Sequence, residues 1–300
     1  MNVTITGATG LIGTKLITAL KERGDSVTVL SRDATKARET LGVEAVAWDS
    51  ATGPAPAGAL SGRDAVVHLA GEPVAQRWNA KVKGAILASR ELGTRNLVAG
   101  IAAAEPKPGV LVSSSAVGYY GPHGDERVPE SALAGSDFLA DVCVRWEREA
   151  DQAAGLGLRV VKIRTGVVLD ATGGALKTML PPFKAGVGGP VAGGRQYMPW
   201  IHVDDIVGLY LKALDDPGWS GAYNGAAPEP VTNKKFSQAL GKALHRPSAA
   251  PAPAFALKLL FGEMADVVTK GQRAVPERPL AGGYTFTQPD LQRALKSALG

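Results

Sequence analysis

Three glycines near the start of the chain have the spacing needed to bind phosphate groups. Gly7, Gly10 and Gly13 follow the apolar run Val3–Thr6 and lie where a helical pattern begins. The first glycine of such a turn allows a sharp reversal, the second lets backbone approach a pyrophosphate, and the third lets helix and strand pack closely. The amides and the dipole at the helix start attract the phosphates. We therefore predict a dinucleotide site formed by Gly7, Ala8, Thr9, Gly10, Leu11, Ile12 and Gly13.

The end of the second predicted strand indicates which dinucleotide is bound. An acidic residue there would bind the ribose 2′-hydroxyl of NAD(H) and repel a 2′-phosphate. In this chain the strand Ser26–Ser31 is followed by Arg32, whose planar guanidinium can donate two hydrogen bonds to a phosphate. Asp33 comes next and would be the ribose ligand if the strand ended one residue later. Ser31 and Arg32 favour NADP(H) over NAD(H).

Short runs rich in Val, Ile and Leu alternate with amphipathic stretches in the first half of the chain. This alternation predicts an α/β fold with a doubly wound parallel sheet of the Rossmann type. We expect a dinucleotide-binding domain over residues 1–165 and a smaller C-terminal substrate lobe over residues 166–300, interleaved with the sheet. The predicted strands are Val3–Thr6, Ser26–Ser31, Ala45–Trp48, Ala65–Leu69, Val110–Ser113 and Arg159–Arg164. The predicted helices between them are Leu11–Arg23, Asn79–Ala104 and Asp137–Ala154.

The sequence changes character after Leu169. Gly and Pro become frequent through Gly173–Gly194, which predicts a loop and lid region rather than a strand. Val203–Leu214 again has a helical pattern. The proline-rich segment Pro247–Pro253 predicts a stiff linker that leads into an apolar helix, Ala254–Phe261.

The composition excludes several classes of protein. The chain is 45% hydrophobic with a net charge of +5, and its Lys and Arg residues are scattered, which argues against a nucleic-acid partner. The single cysteine, Cys143, excludes an internal disulfide. No leader pattern and no apolar run of about 18 residues is present, so we expect a cytoplasmic protein without membrane contact. The four histidines lack the spacing of metal ligands, so we expect no metal.

Several longer motifs resemble those of the extended short-chain dehydrogenase/reductases. The motifs that carry this resemblance, besides the glycine spacing, are His68-Leu69-Ala70-Gly71, Ser113-Ser114-Ser115-Ala116 and Trp200-Ile201-His202-Val203-Asp204-Asp205. Narrower blocks are similar to the atypical "epimerase family protein" subgroup, and these are Ala70–Val74, Ser115–Gly121, Met179–Phe183 and Asn224–Val231. The resemblance covers essentially the whole chain.

The resemblance implies a place for each strand end along the cofactor. The residues that it places there, from the adenine to the nicotinamide ring, are Trp48, Asp49, Leu69, Ala70, Gly71, Ser113, Ser114 and Ser115. All of them lie at the carboxyl ends of parallel strands, where open α/β sheets bind ligands. Glu72, Arg77 and Trp78 follow on a loop above the site, and they either clamp cofactor or substrate or only pack.

One departure from the wider family affects catalysis. The family uses a Tyr-x-x-x-Lys pair, in which tyrosine transfers the proton and lysine lowers the tyrosine pKa and holds the ribose. Aligned on Glu147, the tyrosine position holds Leu139 and the lysine position holds Cys143, and a shifted register gives Phe138 and Val142. Leucine and cysteine supply neither a matched acid nor a positive charge, so the usual pair is missing.

Other side chains close to the same strand ends could replace the missing acid. Tyr119 or Tyr120 would act as the proton donor, unless both only pack. Ser115 would hydrogen-bond a substrate carbonyl, unless it only caps the strand. Arg164, at the end of the sixth strand, either binds an anionic group or pairs with a carboxylate.

The predicted substrate-binding residues also differ from those of the sugar-nucleotide enzymes in this family. Those enzymes carry an arginine for the diphosphate where this chain has Met198, and Arg195 would have to reach in from three residues earlier. Met179, Phe183 and Lys184 either form a lid over the nicotinamide or pack within a loop.

Two functions are consistent with these residues. The first is an NADP(H)-dependent oxidoreductase that acts on a small, largely apolar carbonyl or hydroxyl compound. The alternative is an inactive NADP(H)-binding regulatory or interaction protein. The two long helices, Asn79–Ala104 and Asp137–Ala154, could form a four-helix interface in a homodimer, as they do in related reductases.

Overall fold

The computed structural model describes the backbone of all 300 residues and every side chain except those of Ala256 and Leu260. The strands in chain order are β1 (Asn2–Thr6), β2 (Ser26–Ser31), β3 (Glu44–Ala47), β4 (Ala65–His68), β5 (Val110–Ala116), β6 (Arg127–Val128), β7 (Arg159–Thr165), β8 (Val167–Leu169), β9 (Tyr197–Met198), β10 (Trp200–His202), β11 (Gly221–Gly225), β12 (Val231–Thr232) and β13 (Arg273–Ala274). The helices are α1 (Leu11–Glu22), α2 (Ala34–Leu41), α3 (Ala80–Ala102), α4 (Phe138–Asp151), α5 (Gly174–Lys184), α6 (Val203–Asp215), α7 (Asn233–Ala243), α8 (Ala254–Phe261), α9 (Ala265–Thr269), α10 (Glu277–Ala281) and α11 (Leu291–Leu299). Among these described helices, none is both long enough and apolar enough to cross a bilayer.

The main sheet consists of seven parallel strands in the order β3-β2-β1-β4-β5-β7-β11. Alternate residues of one strand are buried on opposite faces. Val67 packs in the core formed with α1 and α6, and Val66 packs in the core formed with α3 and α4. A parallel sheet covered on both faces requires such continuously apolar strands. The predicted doubly wound α/β fold is confirmed.

The segment Gly173–Gly194, predicted as a loop and lid, contains helix α5. Leu176, Leu180 and Phe183 recur at helical spacing and are buried in the core of the C-terminal lobe, together with residues of α7 and α11. The two prolines of α5 lie in its last turns at exposed positions, where the carbonyls they leave unpaired remain accessible. The prediction was wrong because the frequency of Gly and Pro concealed this apolar period.

The chain after residue 165 returns to the first half at several places. β11 extends the main sheet beside β7, β13 pairs with β6, and α6 covers one face of the sheet. The buried carboxylate of Asp205 on α6 accepts hydrogen bonds from the amides of Thr287 (2.6 Å) and Gln288 (3.0 Å). These bonds fix the C-terminal segment against the Rossmann layers.

A fully buried histidine joins three elements beneath the glycine turn. His68 ends β4, its Nδ1 lies 2.7 Å from the Thr6 hydroxyl on β1, and its Nε2 lies 3.0 Å from the Thr94 hydroxyl on α3. The Thr6 hydroxyl also accepts a hydrogen bond from the Ala70 amide (3.3 Å). Burial, reinforced by the positive charge of Arg90, lowers the pKa of His68 to about 4. The ring is therefore neutral at pH 7.

This neutral histidine predicts a pH-dependent stability. Its unfolded pKa of 6.5 lies above its folded pKa of about 4, so acid protonates the unfolded chain first. The contribution of His68 to the free energy of unfolding is complete above pH 6.5 and is lost as the pH falls towards 4. The total loss is about 3 kcal/mol. Urea unfolding across this range should show that His68→Gln has a much flatter profile.

The matched control for this prediction is His123→Gln, because His123 is half-buried in the loop between β5 and β6, outside the main sheet. This variant should keep the wild-type dependence of stability on pH. A His68→Gln protein with the wild-type dependence would show that the buried ring does not titrate as described.

Candidate functional site

The turn between β1 and α1 is built for close contact of backbone with a ligand. A Cβ atom on Gly7, whose φ is +67°, would lie 2.5 Å from the Ala70 nitrogen, and one on Gly13 would lie 2.6 Å from the Ala8 carbonyl oxygen. Gly10 has extended backbone and begins α1 without a side-chain cap. The first-turn amides of α1 at Leu11 and Ile12 have no acceptor among the described residues. These amides can therefore bind a phosphate.

Among the described residues, one cation at the end of β2 has no hydrogen-bond partner. The Asp33 carboxylate accepts a hydrogen bond from the Lys36 amide (2.9 Å) and caps α2, and the Asp33 amide is 3.3 Å from the Ser31 hydroxyl. Arg32 is exposed and has no hydrogen-bond partner among the described residues. Because Asp33 is engaged as a helix cap, the charged group at this strand end is the Arg32 guanidinium.

The end of β3 holds the residues predicted beside the adenine. Trp48 is largely buried, packs with Leu30, and donates its indole hydrogen bond to the Gly53 carbonyl (3.0 Å). The Asp49 carboxylate accepts a hydrogen bond from the Ala51 amide (3.0 Å) and closes the turn. Both residues lie beside the end of β2, and their side chains hold the turn that borders the site.

The serines that end β5 differ in accessibility. Ser113 is fully buried, and its hydroxyl donates to the Ser114 carbonyl (3.1 Å). Ser115 is also buried and donates to the Glu147 carboxylate (2.7 Å). Ser114 is the half-buried member of the three. The prediction that Ser115 binds a substrate carbonyl is therefore corrected, because its proton is held by a buried carboxylate.

Arg164 pairs with a carboxylate and does not reach the cofactor site. Its Nε and Nη2 each donate to Glu147 at 2.8 Å, and both residues are buried. Such a two-point pair satisfies a buried guanidinium that would otherwise carry an unpaired charge. Of the two alternatives for Arg164, pairing with a carboxylate is the one observed, and Arg164 is removed from the cofactor-binding residues.

The two tyrosines after β5 face the same ion pair. The fully buried Tyr120 hydroxyl donates to the Asn224 side chain (2.7 Å) and accepts from Arg164 (3.0 Å). Burial raises the pKa of Tyr120 to about 12 despite the adjacent Arg164. Tyr120 is therefore corrected as a proton donor, because a substrate cannot reach it. The half-buried Tyr119 ring stacks on the Arg164 guanidinium, with 3.4 Å between the ring centroid and the Arg164 Cζ. The catalytic role of Tyr119 stays a prediction.

Helix α4 presents Leu139 and Cys143 where the family carries its catalytic pair. A Cβ on Gly118, in the turn after β5, would lie 3.3 Å from Leu139 and 4.0 Å from the Cys143 sulfur. Burial, followed by the nearby Glu147 carboxylate, raises the pKa of Cys143 to about 12. The thiol is neutral, so neither Leu139 nor Cys143 supplies the acid or the cation of the family's pair.

A cavity of about 370 Å³ lies beside this turn, between the starts of α3 and α4 and the C-terminal residues around α9. Its apolar lining includes Trp78, Phe138 and Leu139, with the two rings packed edge to face at 5.2 Å. The cations that line it are Lys83, which is 2.7 Å from Glu263, and Lys270, which is 2.9 Å from Asp266. The cavity combines apolar walls with charged groups at its edge.

The residues predicted to cover the site are elsewhere. Phe183 is buried in the core of the C-terminal lobe, Met179 packs against that core, and Lys184 is exposed at the end of α5. Of the two alternatives, packing is the one observed for Phe183 and Met179, and none of the three residues lines the cavity. Met198 is buried, and Arg195 is exposed outside the cavity.

Sequence reasoning did not single out three functional candidates. His68 lies under the glycine turn, Lys83 lines the cavity, and Arg90 lies beside Gly71. The available signal was the seven-residue spacing of Lys83 and Arg90, which places both on one face of α3. Among the described side chains, no three His, Cys, Asp or Glu residues are grouped as metal ligands.

Two family models match the chain. The model described as "NAD dependent epimerase/dehydratase family" matches residues 3–224, and a domain of unknown function matches residues 252–298. The second match includes the C-terminal residues that line the cavity, which are Glu263, Asp266, Val267, Lys270 and Gln272.

Three relatives match over the whole of this chain. The chloroplastic epimerase family protein SDR39U1 homolog of Arabidopsis thaliana is 40% identical over 310 residues, which is 87% of that protein. The human epimerase family protein SDR39U1, crystallised with NADPH, superposes with a TM-score of 0.89 at 36% identity over 100% of both chains. The nucleoside-diphosphate sugar epimerase of Corynebacterium glutamicum superposes with a TM-score of 0.80 at 34% identity, over 58% of that longer chain.

These matches confirm the resemblance that the motifs indicated. The family model covers most of the Rossmann layers, and the relatives share the C-terminal lobe as well. The chain therefore belongs to the NAD dependent epimerase/dehydratase family of extended short-chain dehydrogenase/reductases, together with the SDR39U1 epimerase family proteins.

Proposed function

We propose that this protein binds NADP(H) along the carboxyl ends of the main sheet and is an oxidoreductase for a small substrate held in the cavity. The observation that carries the proposal is the position of the cavity. Gly118 and Leu139 line it at the end of β5, two strands from the free amides of the glycine turn. In an open α/β sheet, one ligand can extend across these strand ends.

The residues of the chain fit NADP(H) at its phosphate end. The amides at the start of α1 would bind the pyrophosphate, and Arg32 with Ser31 would bind the 2′-phosphate. The human relative crystallised with NADPH supports this choice. When bound, the cofactor supplies a hydride, and the protein orients the substrate and limits the access of water.

The apolar walls of the cavity and Lys83 at its edge would hold a small carbonyl compound with one anionic group. The cavity lining also includes the carboxylates of Asp137, Glu263 and Asp266, so the anion would bind only by displacing Glu263 from Lys83. Its volume of about 370 Å³ lies in the range of small-molecule sites. Trp78 and Phe138 would pack against the carbon skeleton, and Lys83 would bind the anionic group in place of Glu263. The buried Met198, in place of a diphosphate-binding arginine, argues against a sugar nucleotide.

A second candidate function is a non-catalytic protein whose interactions depend on NADP(H). The observation that favours it is the absence of the family's tyrosine and lysine on α4, where the described residues Leu139 and Cys143 stand in their place. The cavity then would bind a ligand without converting it. A homodimer through α3 and α4 and a cytoplasmic location stay predictions, and the Arabidopsis relative is described as chloroplastic.

The choice of cofactor can be tested by fluorescence titration of the protein with NADPH and with NADH. We expect the wild type to prefer NADPH. Arg32→Ala should weaken NADPH binding about 10-fold, because one charge-assisted contact is lost, and should leave NADH binding unchanged. Gly10→Asp should abolish binding of both nucleotides, since it places a carboxylate at the phosphates. Equal weakening of both nucleotides in Arg32→Ala would exclude a 2′-phosphate contact.

Turnover can be tested by following NADPH oxidation with a panel of small aldehydes and ketones, with and without a carboxylate group. We expect the carboxylate-bearing compounds to react faster. Lys83→Met should lower kcat/KM for them about 10-fold or more and leave NADPH affinity unchanged. The control is Lys81→Met, because Lys81 lies on the exposed side of the same helix. If no compound oxidises NADPH in a wild type that binds it tightly, the non-catalytic function is favoured.

A further inference from the structure

Arg90 is a half-buried cation without a carboxylate partner, beside the end of β4. Its Nη1 donates to the Glu72 carbonyl (3.0 Å) and to the Ile86 carbonyl (3.2 Å). Among the described side chains, no carboxylate lies within 4 Å of its guanidinium, and its Nε and Nη2 have no hydrogen-bond acceptor. Other arginines in the same layer, such as Arg95 and Arg164, each pair with a glutamate.

The guanidinium is fixed in place at the surface of the cleft. A Cβ on Gly71 would lie 3.2 Å from the Arg90 Cζ, so the glycine leaves room for the planar group. The Trp146 ring lies 5.1 Å from the same carbon on the other side. Gly71 is exposed, and the Glu72 amide donates to Ser89 (2.9 Å), which fastens this loop to α3. That Cβ would also lie 3.2 Å from Nη2, so the edge of the guanidinium that carries Nη2 borders the exposed Gly71 after β4.

Arg90 lies close to Cys143, which occupies the position on α4 where the family has its lysine. Burial raises the pKa of the Cys143 thiol, and the positive charge of Arg90 offsets part of that increase. Burial lowers the pKa of Arg90 itself. A partly desolvated cation of this kind gains from an electron-rich partner. Lys83 lies two helical turns before Arg90, about 10 Å along the same face of α3. One helix therefore carries both Arg90 and the lysine that lines the cavity.

We propose that Arg90 binds the ribose hydroxyls of the nicotinamide half of the cofactor, and so supplies from α3 the contact that lysine supplies from α4 elsewhere in the family. Nε and Nη2 are two donors in one plane, which suits two neighbouring hydroxyl oxygens. The proposal rests on the cofactor part of the proposed function and does not depend on turnover. It also explains why Cys143 can be a small apolar residue.

The test compares two ligands that differ in the nicotinamide half. NADPH contains the second ribose, and 2′-phosphoadenosine 5′-diphosphate has the adenine, the 2′-phosphate and the diphosphate without it. Calorimetric titration of Arg90→Met should show NADPH binding weakened about 10- to 100-fold and binding of the truncated ligand unchanged. Arg90→Lys keeps the charge without the planar fork and should give an intermediate affinity for NADPH.

The matched control is Arg95→Met, which removes an exposed arginine from the same helix and should leave both affinities at wild-type values. Thermal unfolding without ligand establishes whether each variant is folded. If Arg90→Met is not folded, the comparison of the two ligands is made with Arg90→Lys. Equal loss for both ligands would place Arg90 at the diphosphate and overturn the proposal, as would no loss for either. If wild-type protein binds neither ligand, the cofactor assignment fails together with this one.

Discussion

The turn after β1 and the end of β4 lie so close that any side chain on Gly7 would overlap the Ala70 peptide. This contact determines where a dinucleotide can cross the sheet, because it leaves backbone rather than side chains at the strand ends. The neutral His68 holds the contact from below through Thr6 and Thr94. A charged ring there would need a counter-ion, and the described hydrogen-bond partners of the ring are two hydroxyls. The cofactor site thus depends on a buried imidazole as much as on the glycines.

The polar residues near the end of β5 are organised around a buried ion pair. Arg164 and Glu147 satisfy each other, and they engage the hydroxyls of Ser115 and Tyr120. Breaking such a pair leaves an uncompensated charge, so these groups are committed to structure. Two other cations near this strand end, Lys83 and Arg90, lie on α3 rather than on α4. In the functions proposed above, α3 therefore supplies the charges that the wider family places on α4.

The fold follows from local spacing and was predicted correctly, and the same kind of spacing carries the prediction of the phosphate site. The spacing of Gly7, Gly10 and Gly13 can be interpreted from the adjacent sequence alone. Helix α5 was missed because its prolines concealed the spacing of Leu176, Leu180 and Phe183. The partner of Arg164 lies on α4, 17 residues away in the chain, and nothing in the sequence says that the two meet. The same limit applies to Arg90, whose role depends on how α3 is rotated over the sheet.

In the functions proposed above, one NADP(H) molecule spans the strand ends from Arg32 to the cavity beside Gly118. A crystal structure of this protein with NADPH would show the path of the whole cofactor. We expect the 2′-phosphate at Arg32, the nicotinamide ribose within hydrogen-bond distance of Arg90, and the nicotinamide ring facing the cavity lined by Leu139. A nicotinamide half that turns away from β4 and β5, or that leaves the cavity closed off from the ring, would contradict it.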